Sequence, residues 1–517
     1  VEASVPSGQR SVASVLFSGP VPDPRRAPEH FPDLRLDAVL AALVRGRQGY
    51  GIEEIFVTPL RGDDEVRDRQ EVFRDLERGE IREAVDRFSE GMEEARRRRS
   101  LAESRRHPLE RRAWLLDAME AYCAAVRALE AGLLASPPRS RNVRRLGAHL
   151  SAYTESGSFR GLEAGTEEAS RALRAVEYAL RIHGTTVTVA PASDEPDLGA
   201  AVLETFARFR RGAATREATG GAVDPTGLSQ VETRIVELVA EQHPEPFRAL
   251  EEHCAHYGEF VEPTIGRFHR DAQFVLAYLD LMAPLRAAGL PFCNPAVDDG
   301  GGDTRIEDAF DIALAIAMAP AAGDIVLNDV RLEGSERALI VSGPNNGGKT
   351  TYARMVGQLH HLASIGVPIP ARTACVPLAD RIFTHFARAE RVESLRGKLE
   401  DELLRVKGIL DDATPASVIV MNESFGSTSL EDARVVGAAI LRRIIGIGAT
   451  CVYVTFIEEL AALGDETVSM VSQVEAGDPA TRTYRVVRTP PDGLAYAWAV
   501  AERHGLSYDR LMEVIGA

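Results

Sequence analysis

Gly343-Pro344-Asn345-Asn346-Gly347-Gly348-Lys349-Thr350 decides the fold. The segment fits the phosphate-binding loop G-x-x-x-x-G-K-[ST] without gaps. An apolar run, Leu339-Ile340-Val341, precedes it, and a helical pattern from Thr351 to Ala363 follows. That is the strand–loop–helix order the motif requires. Glycines let the backbone curl so that successive N–H groups face phosphate at the positive end of the following helix. Lys349 is placed to reach the β- and γ-phosphates and Thr350 to hold Mg²⁺. Gly343, Pro344, Asn345, Asn346, Gly347, Gly348, Lys349, Thr350 and Thr351 are therefore the candidate triphosphate-binding residues. Of the 60 basic residues only Lys349, Lys398 and Lys407 are lysine. A lysine kept at position 349 fits the chemistry, since a compact ammonium suits this loop and a guanidinium fork does not.

Such a site needs an acid at the end of a neighbouring strand. Val418-Ile419-Val420-Met421-Asn422-Glu423, about 70 residues downstream, supplies one. Glu423 stands where a general base polarises water against the γ-phosphate. Asn422 takes the place of a Mg²⁺-orienting aspartate; its amide oxygen can accept from a metal-bound water but brings no charge.

Working outward, 517 residues are enough for two or three domains. A composition of 45% hydrophobic and 26% charged residues is that of a globular chain. The net charge of −17 argues against a generic basic coat for nucleic acid, though not against a local basic surface. Five dispersed cysteines (Cys123, Cys254, Cys293, Cys375, Cys451) read as reduced thiols, not as a disulfide frame or a zinc site. Val1 to Pro20 do not read as a signal peptide, and Ala309 to Ala322 is too short to span a bilayer, so a cytoplasmic protein is expected. Ser11 to Phe17 reads as a strand and Pro20 to Pro32 as a loop, within an N-terminal segment of residues 1–60. Residues 61–290 carry apolar positions at helical spacing, for example Val72, Phe73, Leu76, Ile81, Val85 and Phe88. Helical pattern extends from Arg141 to Ile182 and again from about Leu228 to Ala283, with a small strand-containing insertion near 185–227. Asp298 to Asp303 is linker-like, and after it strands alternate with helices over 291–517. The expected fold class is α/β plus all-α: a long-helix region followed by a P-loop domain with a mainly parallel sheet.

Around these motifs the chain resembles the MutS family of DNA mismatch-repair ATPases, of the ABC ATPase class. Its loop followed by Tyr352 is similar to that family's G-P-N-M-G-G-K-S-T-Y. Asn422 to Asp432 aligns without gaps on D-E-I-G-R-G-T-S-T-x-D-G. Ile365 to Ala371 resembles I-G-x-x-V-P-A, Asp380 to Thr384 resembles the start of D-x-I-F-T-R, and Asp64 to Glu77 is similar to the opening of the family's lever domain. The likeness covers roughly 50–135 and 225–517. It implies a helical lever/clamp region over 61–290, an ABC-type ATPase over 291–517, ATP and Mg²⁺ as cofactors, double-stranded DNA as partner, and a homodimer through the ATPase domains. Lys349 and Thr350 would hold the triphosphate and metal, Asn422 would stand at the metal, and Glu423 would activate water.

Three departures qualify that expectation. Asn422 replaces the metal-linked Asp, Phe456 stands where the family has a His sensing the γ-phosphate, and Ser394 to Glu400 replaces the signature Ser-Thr-Phe run. Lys398, within that last segment, is expected to reach the partner protomer's γ-phosphate; the plainer reading is a solvated helix lysine. No Phe-x-Glu wedge precedes the helical region, so direct mismatch reading is not expected, and little room for a helix-turn-helix follows Gly493 to Leu511. Arg96 to Arg99 with Arg105 and Arg106, Arg139 to Arg145, and Arg208 to Arg216 are candidate phosphate contacts, read first as solvated faces paired with acids such as Glu93, Glu94 and Glu103. His360 and His361 read as core or surface histidines, and no metal site beyond Mg²⁺ is indicated. The resulting expectation is ATP-gated closure of two protomers around DNA. The alternatives are a nucleotide-gated binding module with little hydrolysis and an RNA- or ribosome-associated relative.

Overall fold

The computed structural model describes residues 14–17, 27–184, 186–192, 228–298, 302–319, 321–387, 397–426, 428–475 and 478–490. These fall into two compact units, one comprising the described residues of Glu80–Pro137 and Arg145–His269, the other those of Val1–Gly79, Pro138–Arg144 and Arg270–Ala517. Residues 61–79 and 270–290, which the sequence pattern groups with the helical region, thus lie in the unit that holds the phosphate loop.

The first of these units is helical. Its long helices, Gly79–Ser104 and Pro108–Ala135, run close enough that a Cβ at Gly91 would come within 2.7 Å of the Ala125 Cβ. Phe88 and Phe268 pack at 5.5 Å between centroids, and Tyr122 packs on Phe260. Helix Gly157–Arg174 starts at Ser156, whose hydroxyl accepts from the Phe159 N–H. This helix stops at Arg174 and does not continue to Ile182. β1 (Tyr178–His183) follows instead and pairs antiparallel with β2 (Thr186–Pro191). The alternation Tyr178, Leu180, Ile182 has a strand's period of two, which outweighs the helical pattern upstream. Helix Gln230–Gln242 opens on a complete capping box, Ser229 with Glu232, and Gln242 donates to the Val189 carbonyl of the hairpin.

The second unit contains two sheets. β3 (Ala296–Asp298), β4 (Thr304–Ala309), β5 (Asn328–Leu332) and β7 (Thr373–Pro377) form one, in the order β3-β7-β4-β5. The linker-like stretch from Asp298 to Asp303 therefore falls, in sequence, between two strands of a single sheet. β6 (Ala338–Ser342), β8 (Ile382–Phe386), β9 (Val418–Asn422), β10 (Thr450–Val454), β11 (Thr467–Glu475) and β12 (Asp478–Arg488) form the other, in the order β12-β11-β6-β10-β9-β8. Every pairing there is parallel except β11 with β12. Helices on both faces bury the central strands, which explains their unbroken apolar runs. Ala338, Ile340, Ile419, Met421, Cys451 and Tyr453 pack on one face with Leu441 and Ile444 of helix Leu430–Ile447. The phosphate-loop helix, Lys349–Ser364, lies against β6, β9 and β10.

Residues 14–17, expected as part of a strand, form none and are held by side chains. Fully buried Arg69 donates through Nε and Nη2 to the Leu16 carbonyl and through Nη1 to the Ile365 carbonyl at 2.7 Å. Asp271 Oδ2 accepts from Ser14 Oγ at 2.6 Å and from the Val15 N–H at 2.8 Å. Asn142 Nδ2 donates to the Val15 carbonyl. None of the five cysteines forms a disulfide. Among the described residues no helix is long and apolar enough to cross a membrane.

Candidate nucleotide site

The site hangs on the carboxyl ends of three adjacent strands, where open parallel sheets place their ligands. β10 lies between β6 and β9, so the acid-bearing strand is one removed from the loop-bearing strand and is not its direct neighbour. Val454 is in register with both Val341 and Asn422. The Thr455 N–H donates to the Val341 carbonyl and the Glu423 N–H to the Val454 carbonyl, both at 3.0 Å. These backbone bonds bring Gly343, Glu423 and Phe456 to one edge.

The loop turns at Gly343 (φ 113°), Asn346 (φ 58°) and Gly348 (φ 90°). Its close approach to β11 needs glycine: a Cβ at Gly343 would come within 2.9 Å of the Ser472 carbonyl oxygen. Ser472 Oγ donates to the Gly347 carbonyl, and Arg482 Nε to that of Asn345. Lys349, nearly buried, donates to the carbonyls of Gly343 and Pro344 at 2.9 Å each. Burial lowers the pKa of its ammonium, Glu423 opposes that shift, and Arg482 adds to it. Thr350 Oγ1 donates to Asn422 Oδ1 at 3.0 Å, so the two residues expected at the metal are side by side across 72 positions of sequence.

Lys349, Thr350, Asn345, Asn346, Gly347, Gly348, Thr351 and Glu423 all line one cleft of about 880 Å³. Phe456 lines it too, 56% exposed, so an aromatic ring faces solvent at the end where the resemblance puts a histidine. The lining also includes an apolar set, Phe310, Leu314, Met318, Val326 and Tyr484. Nothing in the sequence marks those residues; they come from separate elements, and only the fold assembles them. Lys398 begins helix Lys398–Asp412, but its side chain, like residues 394–396 of the signature segment, lies outside the described residues. The cluster Arg208 to Arg216 and the segment Gly493 to Leu511 lie outside them as well.

The donor set fits a magnesium–triphosphate. A glycine loop at a helix N-terminus offers N–H groups to phosphate, Lys349 brings a positive charge, and Thr350 and Asn422 offer paired oxygens for a hard cation. Among the described residues no cluster of His, Cys, Asp or Glu forms another metal site. His361 is buried, its Nε2 3.1 Å from the Phe56 carbonyl and its ring edge-on to Phe31 and Phe56; His360 is buried too. Arg97 and Arg98 are paired with Glu94, and Arg99 with Glu103 and Glu259. In the helical unit these arginines behave as a solvated, self-neutralised face.

Loop, parallel sheet and terminal acid are arranged in the order of a P-loop domain. The chain matches the family model described as MutS domain V over residues 339–502. It is 32% identical over 226 residues to the DNA mismatch repair protein MutS of Shouchella clausii, covering 42% of this chain and 26% of that protein. The MutS of Erythrobacter litoralis is 31% identical over 236 residues, with 43% of this chain and 26% of the relative covered. MutS 1 of Haloarcula marismortui is 29% identical over 294 residues, covering 54% and 30%. The chain thus spans between a quarter and a third of the length of these relatives.

Proposed function

We propose that this chain binds ATP with Mg²⁺ in the cleft above β6, β10 and β9 and hydrolyses it, gating a dimeric DNA clamp in mismatch repair or a related repair process. The observation that carries the reading is the convergence of Lys349, Thr350 and Glu423 on one cleft, with Asn422 bonded to Thr350. In this scheme Mg²⁺ supplies charge to the phosphate oxygens when bound. Lys349 exchanges its bonds to the Gly343 and Pro344 carbonyls for phosphate oxygens, Thr350 and Asn422 orient the metal, and Glu423 takes the proton of the attacking water. The domain plan of the proposal is an N-terminal segment over 1–60, a lever/clamp over 61–290 and the ATPase over 291–517.

A second reading is favoured by Phe456 in the cleft and by Asn422, the partner of Thr350. Neutral Asn422 and exposed Phe456 suit a module that binds nucleotide, changes conformation and hydrolyses slowly. Steady-state phosphate release, with and without duplex DNA and with Lys349→Ala as blank, separates the two. Release above the blank that rises with DNA supports the DNA-coupled ATPase. Release indifferent to DNA retains the ATPase and removes DNA as its trigger, leaving structured RNA as the next ligand to compete. No release above the blank removes hydrolysis.

A further inference from the structure

The turn that carries Glu423 has an unusual backbone. Glu423 sits at φ 51° and Phe425 at φ 67°, both in the left-handed region. For a bulky residue that conformation is an outlier that persists only where the surroundings enforce it. Phe425 occupies the place of the first glycine in the D-E-I-G-R-G pattern, and its side chain is fully buried.

Two groups from other elements hold this turn. Glu402, 4% exposed and on helix Lys398–Asp412, accepts the Phe425 N–H at 3.0 Å through Oε2. His385, at the end of β8 and wholly buried, stacks on the Phe425 ring at 5.8 Å and sets Nδ1 2.7 Å from Ser424 Oγ. The two residues after Glu423 are therefore fastened from both sides, and the acid between strand and turn has little freedom of its own.

We propose that Glu402 is a positioning residue for Glu423: its carboxylate keeps the Glu423–Phe425 turn in the left-handed form that presents Glu423 to the cleft. Because Glu402 rides four residues after Lys398 on one rigid helix, a displacement at the N-terminal turn of that helix reaches Glu423 through a single hydrogen bond. This makes the signature-side helix a control on hydrolysis within one chain, separate from any group it offers to another protomer. The inference rests on the reading of Glu423 as the base.

The test uses the full chain with Glu402→Ala and Glu402→Gln. The alanine variant leaves the buried Phe425 N–H without its acceptor, whereas the amide oxygen of glutamine can still accept. Glu402→Ala should lower phosphate release about tenfold or more while affinity for a fluorescent ATP analogue stays within about twofold. Glu402→Gln should retain most of the turnover. Hydrogen exchange of the peptide spanning 420–426 should quicken in Glu402→Ala and not in Glu402→Gln, with 338–342 unchanged in both. Equal turnover and exchange in Glu402→Ala and wild type would overturn the proposal. So would loss of nucleotide affinity in step with turnover, which marks a general structural defect. If wild type shows no release above Lys349→Ala, the reading of Glu423 fails, and the exchange measurement still decides whether Glu402 holds the turn.

Discussion

Removing Asp271 should release residues 14–17 and destabilise the unit that holds the nucleotide site. Its carboxylate accepts two hydrogen bonds, from Ser14 Oγ at 2.6 Å and from the Val15 N–H at 2.8 Å, and faces the fully buried Arg69 charge. Burial raises the Asp271 pKa, against the pull of Ser14, Val15 and Arg69, so the bare charge is costly here and its hydrogen bonds compensate for it. Two charge-assisted bonds contribute about 1.5–3 kcal/mol each, from which relief of the buried charge must be subtracted. The Ser14 hydroxyl keeps its bonds from the Leu16 and Phe17 N–H groups, but the Val15 N–H is stranded. A net loss of about 3 kcal/mol is expected for Asp271→Ala, and about half that for Asp271→Asn, which keeps one acceptor. At roughly 2 °C per kcal/mol for a unit of this size, the alanine variant should melt about 6 °C lower. Faster hydrogen exchange across 14–17 should accompany the shift. A melting point within about 1 °C of wild type, with exchange there unchanged, would refute the account of Asp271 and Arg69 as the lock.

Other outcomes follow from the site and the core. Asn422→Asp should tighten magnesium-dependent nucleotide binding about tenfold, the scale of outer-shell metal partners, and raise turnover; a magnesium titration with unchanged affinity contradicts the placement of residue 422 at the metal. Lys398→Ala should cut turnover in the dimer and leave nucleotide binding to the monomer intact, and unchanged phosphate release removes Lys398 from the site. Burial holds His360 and His361 far below the ordinary 6.5, at about 4 and about 3, with His30 adding to the effect on His361. Their unfolded forms bind protons from pH 6.5 downward while the folded forms do not. The stability present above 6.5 is thus lost between pH 6.5 and about 4 for His360 and about 3 for His361, at up to about 1.4 kcal/mol per pH unit for each histidine. Melting points at pH 7, 6 and 5 should step downward, and a flat series would contradict this.

What could be read in the sequence was local. Ala338–Ser342 is the strand the apolar run announces, and the phosphate loop and helix follow it where the motif requires. Asn422 and Glu423 were legible because an acid at a strand end is a short-range signal. Of the hairpin, the second strand falls in the strand-containing insertion expected near 185–227, whereas the first, from Tyr178, was hidden, since a helical period runs into it and Arg174 carries no stop signal. Residues 14–17 misled for another reason: their partners Arg69, Asn142 and Asp271 lie 53 to 257 positions away, and no pattern within the segment announces them. The apolar residues of the cleft lining and the clasp on Phe425 are equally invisible, because each set is assembled from separate elements that meet only in the fold.

The register of β6, β10 and β9 bears on how such a chain can change over time. Gly343, Glu423 and Phe456 are spaced by peptide groups bonding to peptide groups, and those bonds take no account of which side chain a residue bears. Substitution at 422 or 456 can therefore alter what the cleft does without moving where its components stand. Chemistry and scaffold are inherited on separate terms here: a lineage could slow, retune or abandon hydrolysis by single replacements and still pass on an intact frame.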